Sequence, residues 1–371
     1  MPLSGLKVID LSTVIAGPGC ARHLGDFGAD VIKVEPPGGD TVRGIGWKDA
    51  DGGSLWWRMI SRNKRCVVLD LRDPDDLATL LGLCAEADVL VENLRPGKLD
   101  ALGVVADDLW LTNPKLVITR VTGFGQDGPY AARPGFATIA EAMSGFASIN
   151  GSADGPPVLP PIALTDEVAA LAAAFATMVA LRSGQGQIVD VSLIESMAQM
   201  MGPLASASKV HGYEPTRMGS SLPYTAPRGT YLCSDGQWVA ISASADTIAE
   251  RVMHMIGLGD DGRLTSFAGR VAHRDLIDVH LSEFIAQRSR SDVVSAFSEA
   301  SAACAPVYSM SEFVQDEHTL AREIVVYVDE IPMQGPVAKL SKTPANLKWS
   351  GPKLAEHQHI LSEPGWPTAS P

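Results

Sequence analysis

Residues 6–35 read LKVIDLSTVIAGPGCARHLGDFGADVIKVE and contain two short apolar runs with a helical segment between them. The runs Leu6–Leu11 and Asp30–Glu35 are rich in Val, Ile and Leu, a pattern typical of short buried strands. Cys20–Phe27 is predicted to be a helix that ends at Gly28. A strand, a helix and a second strand within about 30 residues form a βαβ unit, so the sequence predicts a parallel sheet.

The same alternation of strand and helix continues along the first third of the chain. Further strands are predicted at 66–71, 88–92 and 115–121, and further helices at 75–87, 99–102 and 104–110. Such repeated units predict a Rossmann-like α/β domain, with ligands at the carboxyl ends of its strands. A β-hairpin predicted at 230–242, followed by helices, indicates a second and smaller α+β domain.

The length of 371 residues also favours two domains. The Rossmann-like large domain is assigned to residues 1–201, and residues 330–371 are expected to return to it. Residues 202–223 are rich in Ser, Gly and Pro and are predicted to be a linker. Residues 224–325 are assigned to the small domain.

Composition and charge narrow the class of function. With 46% hydrophobic and 20% charged residues, the chain has the composition of an ordinary globular protein. A net charge of −13 argues against nucleic acid or an anionic membrane as the main partner. The five cysteines are scattered and form no CxxC motif, which predicts reduced thiols and no zinc site. No signal peptide and no apolar run of about 18 residues is found, so a cytoplasmic protein that does not enter the membrane is expected.

A second informative stretch is Pro160–Arg182, PPIALTDEVAALAAAFATMVALR. Thr165 or Asp166 is predicted to cap a helix over 166–182, whose first turn also carries Glu167. Because this helix is apolar almost all round, we expect it to be buried. Backbone N–H groups at its start are expected to hold the Asp166 carboxylate ionised. From these residues alone, Asp166 is either a structural cap or a functional carboxylate.

Polar residues follow two of the predicted strands. Arg72 comes after the strand at 66–71, and Asn93 and Arg95 come after the strand at 88–92. The carboxyl ends of parallel strands share one edge of a sheet, where Arg and Asn side chains suit phosphate or ribose groups. The alternative is that they are ordinary polar loop residues.

A dinucleotide-binding motif is only weakly indicated. Gly17-x-Gly19 followed by a strand that ends at Glu35 resembles the glycine fingerprint of such sites. The third glycine position is occupied by Arg22, and Pro18 interrupts the turn. A nucleotide-binding oxidoreductase therefore stays open as an alternative function.

Segments spread over nearly the whole chain match one enzyme family in order and spacing. The earlier segments are Leu3-x-Gly5-Leu6-x-Val8, Ala16-Gly17-Pro18, Gly25–Glu35, Gly39-Asp40-x-x-Arg43, Asn63-Lys64-Arg65, Leu69-Asp70-Leu71 and Glu92–Gly97. The later segments are Gly123-Phe124-Gly125, Gly128-Pro129, Pro134-Gly135-Phe136, Gly184-x-Gly186-Gln187, Asp316-x-His318-x-x-x-Arg322 and Gly351-Pro352-x-Leu354-x-Glu356-His357. Together they resemble the class III CoA-transferases, the family of formyl-CoA transferase and carnitine CoA-transferase.

This resemblance implies a Rossmann-like large domain built from both chain ends, a smaller α+β domain and an interlocked homodimer. It also implies that Asp166 is the catalytic nucleophile. Its carboxylate would attack the thioester carbonyl of an acyl-CoA, giving a mixed anhydride and free CoA thiolate. The thiolate would return to form an aspartyl-CoA thioester, from which a carboxylic acid takes the CoA.

By the same resemblance, CoA is a substrate that lies along the strand ends, and neither a metal nor a permanently bound cofactor is needed. The expected partners are an acyl-CoA donor, a carboxylic acid acceptor and a second copy of the chain. The expected CoA contacts are Ala16, Arg72, Asn93, Leu94 and Arg95.

The chain departs from the family pattern at two basic positions. Pro36 and Ala101 stand where some members carry a basic residue. Contacts to the CoA phosphates are therefore expected from other basic residues, namely Arg43, Arg62, Lys64, Arg65 or Lys98.

A 2-methylacyl-CoA racemase is the alternative within the same family. That reaction needs a base on each face of the α-carbon, and the family's racemases use a His and an Asp. The His would fall just after Pro134-Gly135, where this chain has Phe136. Because a phenyl ring carries no titratable proton, the sequence disfavours the racemase.

Overall fold

The computed structural model describes residues 1–362 and 365–367. The strands are β1 (Lys7–Asp10), β2 (Asp30–Glu35), β3 (Lys64–Val68), β4 (Val89–Glu92), β5 (Val117–Thr122), β6 (Gln187–Ser192), β7 (Arg228–Leu232), β8 (Trp238–Ser242), β9 (Cys304–Pro306), β10 (Val325–Val328) and β11 (Ile331–Gln334). The helices of the first 200 residues are α1 (Ala16–Asp26), α2 (Leu55–Ile60), α3 (Pro74–Glu86), α4 (Lys98–Ala101), α5 (Ala106–Thr112), α6 (Ala137–Met143), α7 (Phe146–Ile149), α8 (Leu164–Ser183) and α9 (Leu193–Met200). The later helices are α10 (Leu204–His211), α11 (Asp246–Met255), α12 (Phe267–Ala272), α13 (Arg274–Ala286), α14 (Arg290–Glu299), α15 (Met310–Gln315) and α16 (Glu317–Ala321). Short 3₁₀ helices lie at Thr41–Gly44, Gly262–Leu264 and Gln358–Ser362.

The chain forms two compact units. Among the described residues, the large unit comprises 1–146, 159–202, 318–362 and 365–367, and the small unit comprises 147–158 and 203–317. These bounds differ from the predicted ones, because residues 203–223 of the predicted linker contain α10 and belong to the small unit, which ends at residue 317. None of the side chains of α10 is buried, so its sequence lacks the apolar periodicity from which a helix is predicted.

The large unit contains the predicted parallel sheet. Its six strands lie in the order β3-β2-β1-β4-β5-β6, and every neighbouring pair is parallel. Strands β4 and β5 are buried along their whole length, as their Val- and Ile-rich sequences predict. The chain leaves β1 toward β2 on one side and continues at β4 on the other, so the loops after β1 and β4 meet at the carboxyl edge.

Helix α1 begins at Ala16, four residues before the predicted start. Pro18 stands in its first turn, where a missing N–H costs no hydrogen bond. A Cβ atom on Gly17 would lie 2.4 Å from Cβ of Ser12, and one on Gly19 would lie 2.7 Å from Cβ of Ala170. The two glycines therefore allow close packing inside a helix and do not form a phosphate-binding loop.

Helix α8 begins at Leu164 after Ala163, so neither Thr165 nor Asp166 is its N-cap, contrary to the prediction. It ends at Gly184, whose left-handed conformation (φ 72°) suits a residue without Cβ. The N–H of Gly186 then donates to Pro114 O, just before β5. The end of α8 therefore lies at the amino edge of the sheet, and its start lies at the carboxyl edge.

The prediction that α8 is buried all round is wrong for the single chain. Its inward face consists of small residues such as Ala169, Ala173 and Thr177. Its large apolar residues Phe175 and Val179 are 72% and 54% exposed. A helix with small residues inside and large apolar ones outside leaves a surface that water does not favour.

Helix α8 is also, within residues 1–362 and 365–367, the one helix long and apolar enough by length and composition to cross a membrane. Its uninterrupted uncharged run is only residues 168–181, so the expectation that no apolar run reaches about 18 residues is not contradicted. Its charged residues are confined to the first turn, with Asp166 and Glu167, and to the last turn, with Arg182. One third of its most apolar window is buried within the chain.

The small unit is built on an antiparallel sheet in the order β7-β8-β9. Its core packs that sheet against its helices, with Ile241, Leu281 and Phe297 fully or almost fully buried. In the large unit, the C-terminal segment lies beside β3, where the N–H of Cys66 donates to Nδ1 of His357 at 3.1 Å.

Candidate active site

Asp166 is the third residue of α8 and lies at the carboxyl edge of the parallel sheet. Burial, followed by the negative charges of Glu141 and Glu167, raises the pKa of Asp166 to about 6. The expectation that the helix start simply favours the ionised form is therefore incomplete, because desolvation and two carboxylates oppose it. At pH 7 a carboxyl group with this pKa is still about 90% ionised.

Glu141 is a buried carboxylate that the sequence analysis missed. It lies on α6 with only 3% of its surface exposed, and it accepts a hydrogen bond from Oγ1 of Thr165 at 2.9 Å. Thr165 is itself fully buried and lies 3.4 Å from Sδ of Met197 on α9. The available signal was a single carboxylate in the otherwise uncharged helix ATIAEAM.

Glu167 has a partner that its sequence position did not reveal. Its Oε2 accepts a hydrogen bond from Nη2 of Arg22 on α1 at 2.9 Å. Glu167 lies in the first turn of α8, where the helix dipole favours a negative charge, as predicted. The ion pair adds a link between α1 and the start of α8.

The loop between β1 and α1 is held firmly at the same edge. Oδ1 of Asn93 accepts from the N–H of Thr13 at 2.8 Å, and Nδ2 of Asn93 donates to the Thr13 carbonyl at 2.7 Å. Val14 adopts φ 69°, a genuine outlier for a β-branched residue, and its N–H points at the Asp40 carboxylate at 3.2 Å. The side-chain amide of Asn93 is therefore occupied by this loop.

The loop and the start of α8 share one apolar cluster. Ile15 and Trp57 are buried in it, and Val14 and Ala163 pack against it. Ala163 is the residue before α8, and Ala16 follows this loop as the first residue of α1. The structure thus brings Ala16 and Asp166 to one region of the sheet edge.

A second buried carboxylate, Asp10, lies at the end of β1. Lys64 Nζ lies 2.8 Å from its Oδ2, Lys33 Nζ lies 3.8 Å from its Oδ1, and Oγ of Ser12 donates to Oδ1 at 2.5 Å. Burial alone would raise the pKa of Asp10, but Lys33 and Lys64, with hydrogen bonds from Lys64 and Ser12, lower it below the ordinary value. Asp10 is a structural anion at the base of the loop.

The five expected CoA contacts do not all lie together. Ala16, Asn93, Leu94 and Arg95 follow the adjacent strands β1 and β4. Arg72 follows β3, two strands from β1 and roughly 10 Å away in the sheet. It is highly exposed and forms a two-pronged pair with Asp70, at 2.8 and 2.7 Å.

Most of the alternative phosphate-binding residues are occupied. Each of the following cations is paired with a carboxylate at 2.6 to 2.8 Å: Arg43 with Glu35, Arg62 with Asp26, Lys64 with Asp10 and Arg65 with Asp30. Lys98 and Arg95 remain, both exposed on the loop and helix start after β4.

Two rival readings find little support in the geometry. The carboxylate of Glu35, which a dinucleotide ribose would need, accepts two hydrogen bonds from Arg43 and one from the N–H of Asp40. Phe136 stands exposed at the N-cap of α6 and brings no titratable group to the site.

In the described part of the chain no three His, Cys, Asp or Glu residues are grouped to hold a metal.

Comparison with known proteins gives a consistent result. A model of CoA-transferase family III matches residues 3–358. A succinyl-CoA–D-citramalate CoA-transferase of Chloroflexus aurantiacus is 37% identical, over 97% of this chain and 93% of that protein. A succinate–glutarate CoA-transferase of Agrobacterium fabrum is 34% identical, over 98% and 95%. The crystal structure of a CaiB/BaiF family protein from Brucella suis covers 97% of this chain and 98% of that one, with 31% identity and a TM-score of 0.86.

Proposed function

The chain belongs to the class III CoA-transferase family, and we propose that it moves CoA between two carboxylic acids with Asp166 as the nucleophile. The main support for this role is the position of Asp166. Its carboxylate is partly buried in the first turn of α8, at the carboxyl edge of the sheet. A carboxylate nucleophile must be ionised and yet poorly solvated. A pKa of about 6 meets both conditions at neutral pH.

The proposed reaction conserves the thioester at every stage. An Asp166 oxygen attacks the thioester carbonyl carbon, the C–S bond breaks, and CoA leaves as its thiolate. The thiolate attacks the Asp166 carbonyl of the resulting anhydride, which releases the donor acid as a carboxylate and leaves an aspartyl-CoA thioester. The acceptor carboxylate then attacks this thioester, and the same two steps run in reverse to give the new acyl-CoA.

We propose dicarboxylic acids as the substrate class, with succinyl-CoA as the first donor to test. Two full-length relatives are named for succinyl-CoA with D-citramalate and for succinate with glutarate. A chain with net charge −13 can still bind such acids, since local cations decide the field within a site.

For CoA itself we propose a site along the loops after β1 and β4, formed by Ala16, Leu94, Arg95 and Lys98. Arg95 and Lys98 are exposed cations with no carboxylate partner in residues 1–362 and 365–367, which favours a role toward phosphate. Asn93 contributes by fixing the loop before Ala16, and Arg72 is left as an outlying contact.

We further propose that the large unit is Rossmann-like and that the chain acts as an interlocked homodimer in the cytoplasm. The strand order β3-β2-β1-β4-β5-β6 is the one found in Rossmann sheets. The exposed residues Leu171, Phe175 and Val179 lie four apart on α8 and form an apolar stripe that suits a second copy of the chain. All five cysteines are free thiols, which suits a reducing compartment.

The test is peptide mass spectrometry after incubation with a panel of acyl-CoA thioesters that includes succinyl-CoA, followed by trapping with hydroxylamine. A CoA or hydroxamate adduct on Asp166, absent in Asp166→Asn, is expected and would identify the donor. If Asp166 stays unmodified with every donor while deuterium enters the α-position of a 2-methylacyl-CoA, the proposed transfer is wrong.

A further inference from the structure

Arg22 is a buried cation that pairs with Glu167, the residue after the proposed nucleophile Asp166. Its side chain is only 7% exposed, on the face of α1 that packs against α8. Nη2 lies 2.9 Å from Oε2 of Glu167 and 3.1 Å from Nε2 of His23, while the buried Nε has no hydrogen-bond partner. A desolvated guanidinium with so few partners is costly to keep in a protein interior.

Packing alone does not explain this arginine. Helices α1 and α8 already meet closely, since a Cβ atom on Gly19 would lie 2.7 Å from Cβ of Ala170. An apolar side chain of similar volume would join the two helices without the cost of burying a charge. The presence of a buried charge at the start of α8 therefore needs a reason of its own.

The two charges that raise the pKa of Asp166 are those of Glu141 on α6 and Glu167 on α8. Other charged residues on the elements packed against α8 have partners of their own: Glu195 on α9 accepts from the Ser192 hydroxyl, Asp190 on β6 accepts from the N–H of Gln126, and Arg120 on β5 pairs with Glu92. Glu167 follows Asp166 on α8 itself, and α1 brings Arg22 and His23. Burial, with the charges of Arg22, Arg62 and Lys64, lowers the pKa of His23 to about 3, so His23 is neutral at neutral pH.

We propose that Arg22 is a positioning residue for the transfer reaction, which holds the Glu167 carboxylate on α1 and offsets its charge so that Asp166 can act as an anion. The inference rests on the proposed function, because it takes Asp166 to be the nucleophile. Without Arg22, none of the carboxylates of Glu141, Asp166 and Glu167 would be ion-paired within residues 1–362 and 365–367, and like charges oppose one another's ionisation.

The test is the pH dependence of the CoA-transfer rate with succinyl-CoA for Arg22→Met, Arg22→Lys, Glu167→Gln and the double variant. Asp166 must be deprotonated, so activity falls as the pH drops through its pKa. We call this low-pH part of the profile the acid limb. Arg22→Met should move the acid limb to higher pH by about one unit, so the transfer rate should fall about eightfold at pH 5.5 and less than about twofold at pH 8.5. Arg22→Lys, which keeps the charge, should restore the parent profile.

Glu167→Gln should move the limb in the opposite direction, with a gain of about threefold at pH 5.5 for a one-unit shift. The double variant should return close to the parent, because both charges are then removed. Arg62→Met is the matched control. It removes an equally buried arginine, paired with Asp26, and should lower stability without moving the limb.

An acid limb that stays in place in Arg22→Met would show that Arg22 is only a structural tether, whether the rate falls equally at all pH values or does not fall. Because Arg22→Met risks misfolding, Arg22→Gln, which keeps a hydrogen-bond donor for Glu167 but removes the charge, is the second variant and should show the same upward shift. The Asp166 adduct in the same variants at pH 8.5 separates the two proposals. An adduct with unshifted limbs overturns the role of Arg22 alone, and its absence in the parent protein overturns the proposed function.

Discussion

Two aspartates at the same edge of the parallel sheet have opposite surroundings. Asp10 ends β1 among Lys33, Lys64 and the Ser12 hydroxyl, and its pKa is held below the ordinary value despite complete burial. Asp166 opens α8 beside Glu141, and its pKa is raised to about 6. The first carboxylate has two lysines and a hydroxyl as partners and can do little chemistry, whereas within residues 1–362 and 365–367 no hydrogen bond or ion pair holds the second. The difference indicates which buried carboxylate is structural and which is available to react.

The largest effect is expected when Asp166, the carboxylate proposed to react, is replaced by a neutral residue. Asp166→Asn should lower the transfer rate by about 10⁴-fold, because the amide cannot form the anhydride. Asp190→Asn is a suitable control, since Asp190 lies on β6 in the same sheet and burial also raises its pKa. Steady-state rates normalised to folded protein provide the measurement. A comparable loss of transfer rate in Asp190→Asn would mean that Asp166 has no special role among the carboxylates of the sheet.

The next largest effect concerns Asp10. Asp10→Asn should lower the free energy of unfolding by about 3–5 kcal/mol, because Lys64 would be left buried without its counter-charge and Lys33 would keep only Asp40, at 3.2 Å. Urea denaturation of the parent and the variant gives the value. Asp70→Asn breaks an exposed pair with Arg72 and should change stability little. Equal stability of Asp10→Asn and parent would contradict a structural role for Asp10.

Asp166→Asn should stabilise the folded protein, whereas Asp10→Asn should destabilise it. A carboxyl group whose pKa rises from 3.8 to about 6 on folding destabilises the folded state above pH 6. Asp166→Asn should therefore raise the free energy of unfolding at pH 7.5 by up to about 3 kcal/mol, with the gain disappearing below about pH 4. Denaturation curves at both pH values sharpen the comparison. A loss of stability at pH 7.5 would mean that Asp166 is held by favourable contacts, as Asp10 is.

A smaller effect should follow from removing one of the negative neighbours. Glu141→Gln keeps an acceptor for the Thr165 hydroxyl but removes a buried charge near Asp166. The acid limb of the pH–rate profile should move downward by about one unit. A limb that stays in place would show that the Glu141 charge does not contribute to the pKa of Asp166.

The smallest effect is expected from the arginines that are candidates for contact with the CoA phosphates. Arg95→Ala should raise the KM for the acyl-CoA several-fold, roughly 1 kcal/mol, with little change in kcat, because Arg95 is exposed and unpaired. Arg72→Ala, which removes an arginine already paired with Asp70, should have a weaker effect. The reverse order would place the CoA phosphates at the far side of the sheet, near β3.

The sequence predicted the parallel sheet and the place of Asp166 because both leave a local signal. Apolar runs mark β2 and β4, and an acidic pair before a long apolar segment marks the start of α8. The outward direction of Phe175 was not predictable, since hydropathy does not show which side of a helix the chain covers.

The partners of charged side chains were equally hidden. Arg43 and Arg62 looked available for phosphate, yet their carboxylate partners come from other elements of the fold. Glu141 and Arg22 each approach the start of α8 from a different helix, and only the tertiary structure brings them together. Asn93 was predicted at the correct strand end, but its side chain binds the Thr13 backbone.

The most direct test of Asp166 as the nucleophile follows the oxygen atoms. In the anhydride route, each turnover leaves one oxygen of the acceptor carboxylate on Asp166 and passes an Asp166 oxygen to the released donor acid. The protein should be incubated with succinyl-CoA and an acceptor dicarboxylic acid labelled with the heavy oxygen isotope, and the peptide that contains Asp166 should be weighed. The mechanism predicts a gain of about 2 Da for each exchanged oxygen, confined to Asp166. Labelled donor acid released from a protein whose Asp166 gains no heavy oxygen would mean that the acceptor attacks the acyl-CoA directly, and Asp166 would then not be the nucleophile.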